Sequence, residues 1–264
     1  MIHFILIALL LGSTVANTAP TADSTWTDKN ILALIDTTIA RQSNLISLSC
    51  RSHQTRQVGT AAPSLFEGTV DYQSPNRLLL HYYTPAEEIY AANDSFFLFF
   101  SFSQNTGARF RRTGIHPLEK QIMDQMGQVR RNTLSTMRND YFFTFVRLLG
   151  DSDVVISATP KSGWKALSAI LIKINRKYVA LTALELYDKN GALISQTQYS
   201  GFIPVIGTQA YFPKRSVVQT VSGESIENLV TDYTRLKFNP VFEPTHFYPV
   251  LPKNAVLEEP PSEK

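Results

Sequence analysis

Apolar positions fall into a three-to-four-residue rhythm in only two stretches of this chain, and elsewhere they tend to alternate. From Asp28 onward Ile31, Leu34, Ile35 and Ile39 recur at helical spacing, with Thr27 or Asp28 placed to cap the first turn. The second stretch is 117–137, where Leu118, Ile122, Met126, Val129, Thr133 and Met137 share one stripe. Arg130, Arg131 and Arg138 lie nearby, and Pro117 and Asn139 bound an expected amphipathic helix. Between and after these helices the pattern predicts roughly ten antiparallel strands, beginning with a long one over 45–58. Ser74-Pro75-Asn76, Thr84-Pro85 and Asn93-Asp94 mark turns in a meander, and Asn190-Gly191 supplies the positive dihedrals of a short hairpin.

The strand over 95–103 is the exception to alternation. Phe96, Phe97, Phe99, Phe100 and Phe102 make both of its faces apolar, so neither is simply solvated. One face must meet a core, and the other needs a helix, a second sheet or a ligand. The expected class is therefore mainly β with α: a strongly curved antiparallel sheet, or half-open barrel, with helices covering the concave side. Leu78, Leu80 and Tyr82 share one face of their strand, and with Phe97 and Phe99 they are candidate walls of an apolar cavity. Met123 and Met126 are candidate lid residues, because methionine adapts to irregular apolar surfaces. Ordinary core packing accounts for the same residues equally well.

Composition narrows the class. Of 264 residues 44% are hydrophobic and 18% charged, which excludes both a disordered and a membrane-embedded chain. Residues 4–11 form an apolar run followed by Gly12, Ser13 and the small-residue pattern Thr14-Val15-Ala16. A signal peptide over 1–16 is expected, with an uncleaved inner-membrane anchor as the alternative, since no Lys or Arg precedes the run. A flexible leader over 17–27, a single domain over 28–248 and a disordered Pro-rich tail over 249–264 follow. Cys50 is the sole cysteine, so no internal disulfide can form and the residue reads as core.

The formal charge of +3 is unevenly spread. Eight basic residues stand between Arg109 and Arg147 against Glu119, Asp124 and Asp140. Arg109, Arg111, Arg112, Arg130 and Arg131 are candidates for approaching anionic lipid headgroups, or else a solvated face. No nucleic-acid module is recognisable.

Catalytic signatures are missing from the sequence. His53, His81, His116 and His246 fall into no metal-binding spacing, and no Gly-x-Ser-x-Gly elbow occurs. Glu87 and Glu88 are adjacent, and on a strand they point to opposite faces. No enzyme, metal or cofactor is expected, although residues converging from distant parts of the chain leave no such signature.

The stretch Phe66-Glu67-Gly68-Thr69-Val70-Asp71-Tyr72 and the turn Ser74-Pro75-Asn76-Arg77-Leu78 resemble the most recognisable signature of the LolA superfamily of periplasmic lipoprotein carriers. The opening helix and strand over 28–58, the Thr84-Pro85 turn, the hairpin over 184–199 and the closing segment over 231–247 are similar to that family's pattern as well. The chain departs from it by added length, chiefly at 104–140 and in the C-terminal strands. The resemblance implies a periplasmic protein that binds a lipid or lipidated molecule, a lipoprotein or glycolipid, in an apolar cavity and carries it toward the outer membrane. Inner- and outer-membrane protein partners come with that reading, and Arg77 takes a structural role at its turn. The alternative is an envelope interaction or sensor module on the same fold.

Overall fold

The computed structural model describes residues 26–111, 133–162, 167–223 and 225–258. The signal peptide, most of the leader and of the second predicted helix, and Met123, Met126, Arg112, Arg130, Arg131 and His116 lie outside these residues.

Helix α1 (Asp28–Gln42) starts where Thr27 accepts a hydrogen bond from the Asn30 backbone N–H, with Asp28 in the first turn and Arg41 in the last. Both charges complement the helix dipole. Strands β1 (Ser47–Val58), β2 (Ser64–Gln73), β3 (Arg77–Thr84), β4 (Glu88–Ala92), β5 (Phe96–Ser101) and β6 (Thr106–Arg111) follow as a meander. After α2 (Thr133–Asp140) come β7 (Tyr141–Leu149), β8 (Asp153–Pro160), β9 (Leu167–Asn175) and β10 (Ala180–Asp188). The chain closes with β11 (Leu193–Pro204), β12 (Tyr211–Ser222), β13 (Ser225–Phe238) and the short β14 (Val256–Glu258).

Turn chemistry fixes the hairpins. Asn93 Oδ1 accepts the Ser95 and Phe96 N–H groups, and Asp188 Oδ1 accepts those of Asn190 and Ala192 while Gly191 sits at φ +81°. Arg77 forms an ion pair with Asp94, tying the start of β3 to the β4–β5 turn. All fourteen strands make one sheet in the order β14-β6-β5-β4-β3-β2-β1-β13-β12-β11-β10-β9-β8-β7. Two meanders thus run outward in opposite directions from a central β1–β13 pair.

This order corrects the expected half-open barrel. The sheet is open, with β7 at one end, and the β6 edge at the other is taken by β14 in parallel pairing. Closure requires the terminal strands to hydrogen-bond each other. Here the β6 edge is already capped. The apolar residues are also buried in separate clusters instead of around one barrel interior, and the cluster on β1–β5 draws in Val205, Ala210, Phe212 and Tyr233 of the second meander.

Opposed residues of an antiparallel ladder share a face, so the register traces rows across the sheet. One row runs Leu229–Val218–Thr197–Leu184–Ile172–Ile156 from β13 to β8. Its Ile172 and Ile156 pack with Ile31 and Ile35 of α1 and Leu134 and Met137 of α2, which defines the helix-bearing face. The same face at the other end holds a second cluster of β1–β5 residues, joined by Leu45, Val205, Ala210 and Phe212.

The opposite face of β3–β5 answers the question posed by the aromatic strand. Leu79, Ile89, Ala91, Phe96, Leu98 and Phe102 pack there with Leu251 and Leu257. Phe247 is fully buried, the Asn93 side chain donates to its carbonyl, and His246 pairs with Asp71 at 2.8 Å. Residues 249–258, expected as part of a disordered tail, therefore act as a strap that ends in β14. A tail composition rich in Pro and charge hides this, because the attachment rests on two leucines and a three-residue strand.

Candidate functional site

Leu78, Leu80, Tyr82, Phe97 and Phe99 are brought together on the helix-bearing face. Leu48, Tyr72, Leu78, Ala92 and Phe97 stand in one row from β1 to β5, and Cys50, Val70, Leu80, Tyr90 and Phe99 in the next. Leu78, Leu80 and Phe97 are buried, whereas Tyr82, Tyr90, Phe99 and Phe110 are half-buried at the margin. The margin is aromatic and continuous: Tyr90 lies 4.9 Å from Phe99 and 6.1 Å from Tyr82, and Tyr82 lies 5.9 Å from Phe66, between ring centroids. Arg109 and Arg111 face the other way, opposite Leu98 and Phe96, and Arg109 stands over the Phe96 ring.

A polar band follows these two apolar rows, and sequence reasoning missed it. The third row is Tyr233–Ser52–Gly68–Tyr82–Glu88, and the fourth Tyr199–Ser216–Thr231–Gln54–Phe66. Glycine is required at position 68, where a Cβ would overlap the His81 carbonyl oxygen across the β2–β3 ladder. Tyr82 reaches across β2 here, and its hydroxyl donates to Gln54 Oε1 at 2.6 Å. The Tyr90 hydroxyl donates to Glu88 at 3.0 Å. Burial, then the Glu88 charge, push both phenols upward, so they remain neutral donors. Tyr233 is raised chiefly by its complete burial.

Cys50 lies at the β1 bulge against this face, with its thiol pushed up to about 12 by burial and by Asp71. Such a thiol is unreactive at neutral pH. His53, His81 and His246 each sit beside one carboxylate, of Glu67, Glu87 and Asp71. Among the described residues no group of three or more His, Cys, Asp or Glu is placed to hold a metal ion, and no helix is long and apolar enough to cross a membrane.

The fold that carries these rows, an open and mainly antiparallel sheet with one long N-terminal helix on its face, has counterparts among solved structures. A LolA superfamily protein from Nitrosomonas europaea matches with TM-score 0.52 and 16% identity, over 80% of this chain and 94% of that one. A DUF1329 family protein from Desulfovibrio piger gives 0.59 at 10% identity, over 83% and 96%. A putative outer membrane lipoprotein-sorting protein domain from Vibrio parahaemolyticus gives 0.57 at 11%, over 84% and 97%. What these share with the present chain is the fold. No family model matches the sequence, and no curated protein matches it.

Proposed function

We propose that this protein is a non-catalytic carrier of the cell envelope that holds the acyl chains of a lipid or lipidated molecule, a lipoprotein or glycolipid, against the helix-bearing face. The observation that carries the reading is the pair of apolar rows through Leu78 and Leu80, bordered by half-exposed Tyr82, Tyr90, Phe99 and Phe110. Large apolar side chains left half-open beside a buried cluster favour a hydrocarbon partner, since each methylene removed from water contributes about 0.8 kcal/mol. The shared fold with a putative outer membrane lipoprotein-sorting protein domain supports the same class. Transfer toward the outer membrane belongs to this proposal. Arg109 and Arg111 are exposed on the opposite face, and in this proposal they approach anionic headgroups while the acyl chain occupies the rows.

Gentle purification followed by mass spectrometry tests the proposal directly. Acyl-containing material is expected to remain bound, and delipidated protein should take up an uncharged hydrophobic dye stoichiometrically. Phe99→Ser should weaken that uptake at least severalfold with the fold intact. Protein that is free of lipid and takes up no dye overturns the carrier reading.

A further inference from the structure

The polar band contains three hydroxyls without a hydrogen-bond partner among the described residues, those of Ser52, Ser216 and Thr231, and of these Ser216 lies beside the Tyr233 hydroxyl. The other two, Ser52 Oγ and Thr231 Oγ1, belong to residues that are only 1% and 0% exposed. Buried hydroxyls without partners cost about 1–3 kcal/mol each, so their retention calls for a reason. Their position supplies one. Ser52 is opposite Tyr233 in the third row, and Thr231 is opposite Ser216 and Gln54 in the fourth. The band they form lies between the apolar rows of β1–β5 and the Leu229–Ile156 row under the helices.

The chemistry of the neighbours selects the ligand group. Gln54 and Tyr82 are engaged with each other, and Ser216 lies beside the Tyr233 hydroxyl. The charged group of the third row is the Glu88 carboxylate, already accepting from Tyr90. Neutral donors next to a carboxylate disfavour an anionic head and suit an uncharged oxygen acceptor. The rows above the band provide the lane for a hydrocarbon chain.

We propose that Ser52 and Thr231 form a polar subsite that donates hydrogen bonds to the carbonyl or hydroxyl oxygens of an uncharged acyl ester, whose chain lies along Leu80, Tyr90 and Phe99. The subsite rests on the carrier reading and specifies which part of the cargo is recognised by polar contact.

Displacement of bound N-phenyl-1-naphthylamine, an uncharged dye, by monolaurin, laurate and dodecane tests it on the delipidated full chain. Monolaurin should displace the dye more effectively than either laurate or dodecane. Thr231→Val and Ser52→Ala should each weaken monolaurin about fivefold, the worth of one hydrogen bond, and leave dye and dodecane binding unchanged. Thr231→Ser, which keeps a hydroxyl, should retain the monolaurin preference. Both hydroxyl-free variants should be at least as resistant to urea as the wild type, since each removes an unpaired buried group. Wild-type monolaurin affinity in both variants, or laurate binding as well as monolaurin, overturns the subsite while dye uptake still supports the carrier. No dye uptake by the wild type overturns both.

Discussion

Glu185 shows how one residue sets an acid limit on the fold. It is buried on the face of β10 away from the helices, opposite Gln196 of β11. Burial alone would raise its carboxyl, but hydrogen bonds from Lys173, Tyr187 and Gln196, with the Lys173 charge, outweigh it and leave the group below its ordinary value. A carboxyl lowered in the folded state stabilises it above the unfolded pKa and loses that contribution as pH falls through the folded one. Glu185→Gln should therefore be less stable than wild type by about 1–2 kcal/mol near pH 7, and the gap should shrink in acid. Urea unfolding at pH 7 and at pH 3 measures this, and a gap that stays constant would show that the carboxylate charge contributes nothing. Lys173→Met should be worse than Lys173→Met with Glu185→Leu, because the single change strands a buried carboxylate.

At the scale of elements, the sequence was legible wherever local chemistry decides structure. The Thr27 cap and the Ile31/Ile35 spacing gave α1, and Asn93 and Asn190-Gly191 gave their hairpins. β6 and β14 were not legible. β6 carries a single large apolar residue, Phe110, and its Gly107 is needed because a Cβ would overlap the Phe99 carbonyl oxygen of β5. β14 exists only through pairing with that distant strand, as Val256 faces Thr106. The strap it terminates covers apolar Leu79, Ala91 and Leu98 and occupies a sheet edge. Truncation after Tyr248 should then lower stability by about 2–4 kcal/mol from lost burial and expose an edge prone to self-pairing. Sedimentation velocity with urea unfolding reads both effects. A truncated chain that stays monomeric with unchanged stability would mean the strap contributes no packing.

The whole molecule is assembled by one long-range ladder, and its site depends on that ladder more than on any motif. Alternation within β3 and β5 was enough to place Leu78, Leu80, Tyr82, Phe97 and Phe99 on common faces. Nothing local could join Ser52 and Gln54 to Thr231, because β1 meets β13 across nearly the full chain. Through that ladder the sheet carries two apolar clusters on one face, one beneath α1 and α2 and one over β1–β5, with no buried residue in common and the polar band between them. Clusters with no buried residue in common should respond independently to damage at sites well apart from each other. Ile35→Ala in α1 and Leu80→Ala in β3 each remove a side chain that is at most 2% exposed, and each should lower stability by about 2–4 kcal/mol. The double variant should lose the sum to within about 0.5 kcal/mol, provided unfolding remains two-state. Hydrogen exchange should place the loss from Ile35→Ala mainly in β7–β10 and that from Leu80→Ala mainly in β1–β5. A coupling energy above about 1 kcal/mol would mean the clusters pack as a single core, and the helix-covered half would then constrain the rows assigned here to a hydrocarbon chain.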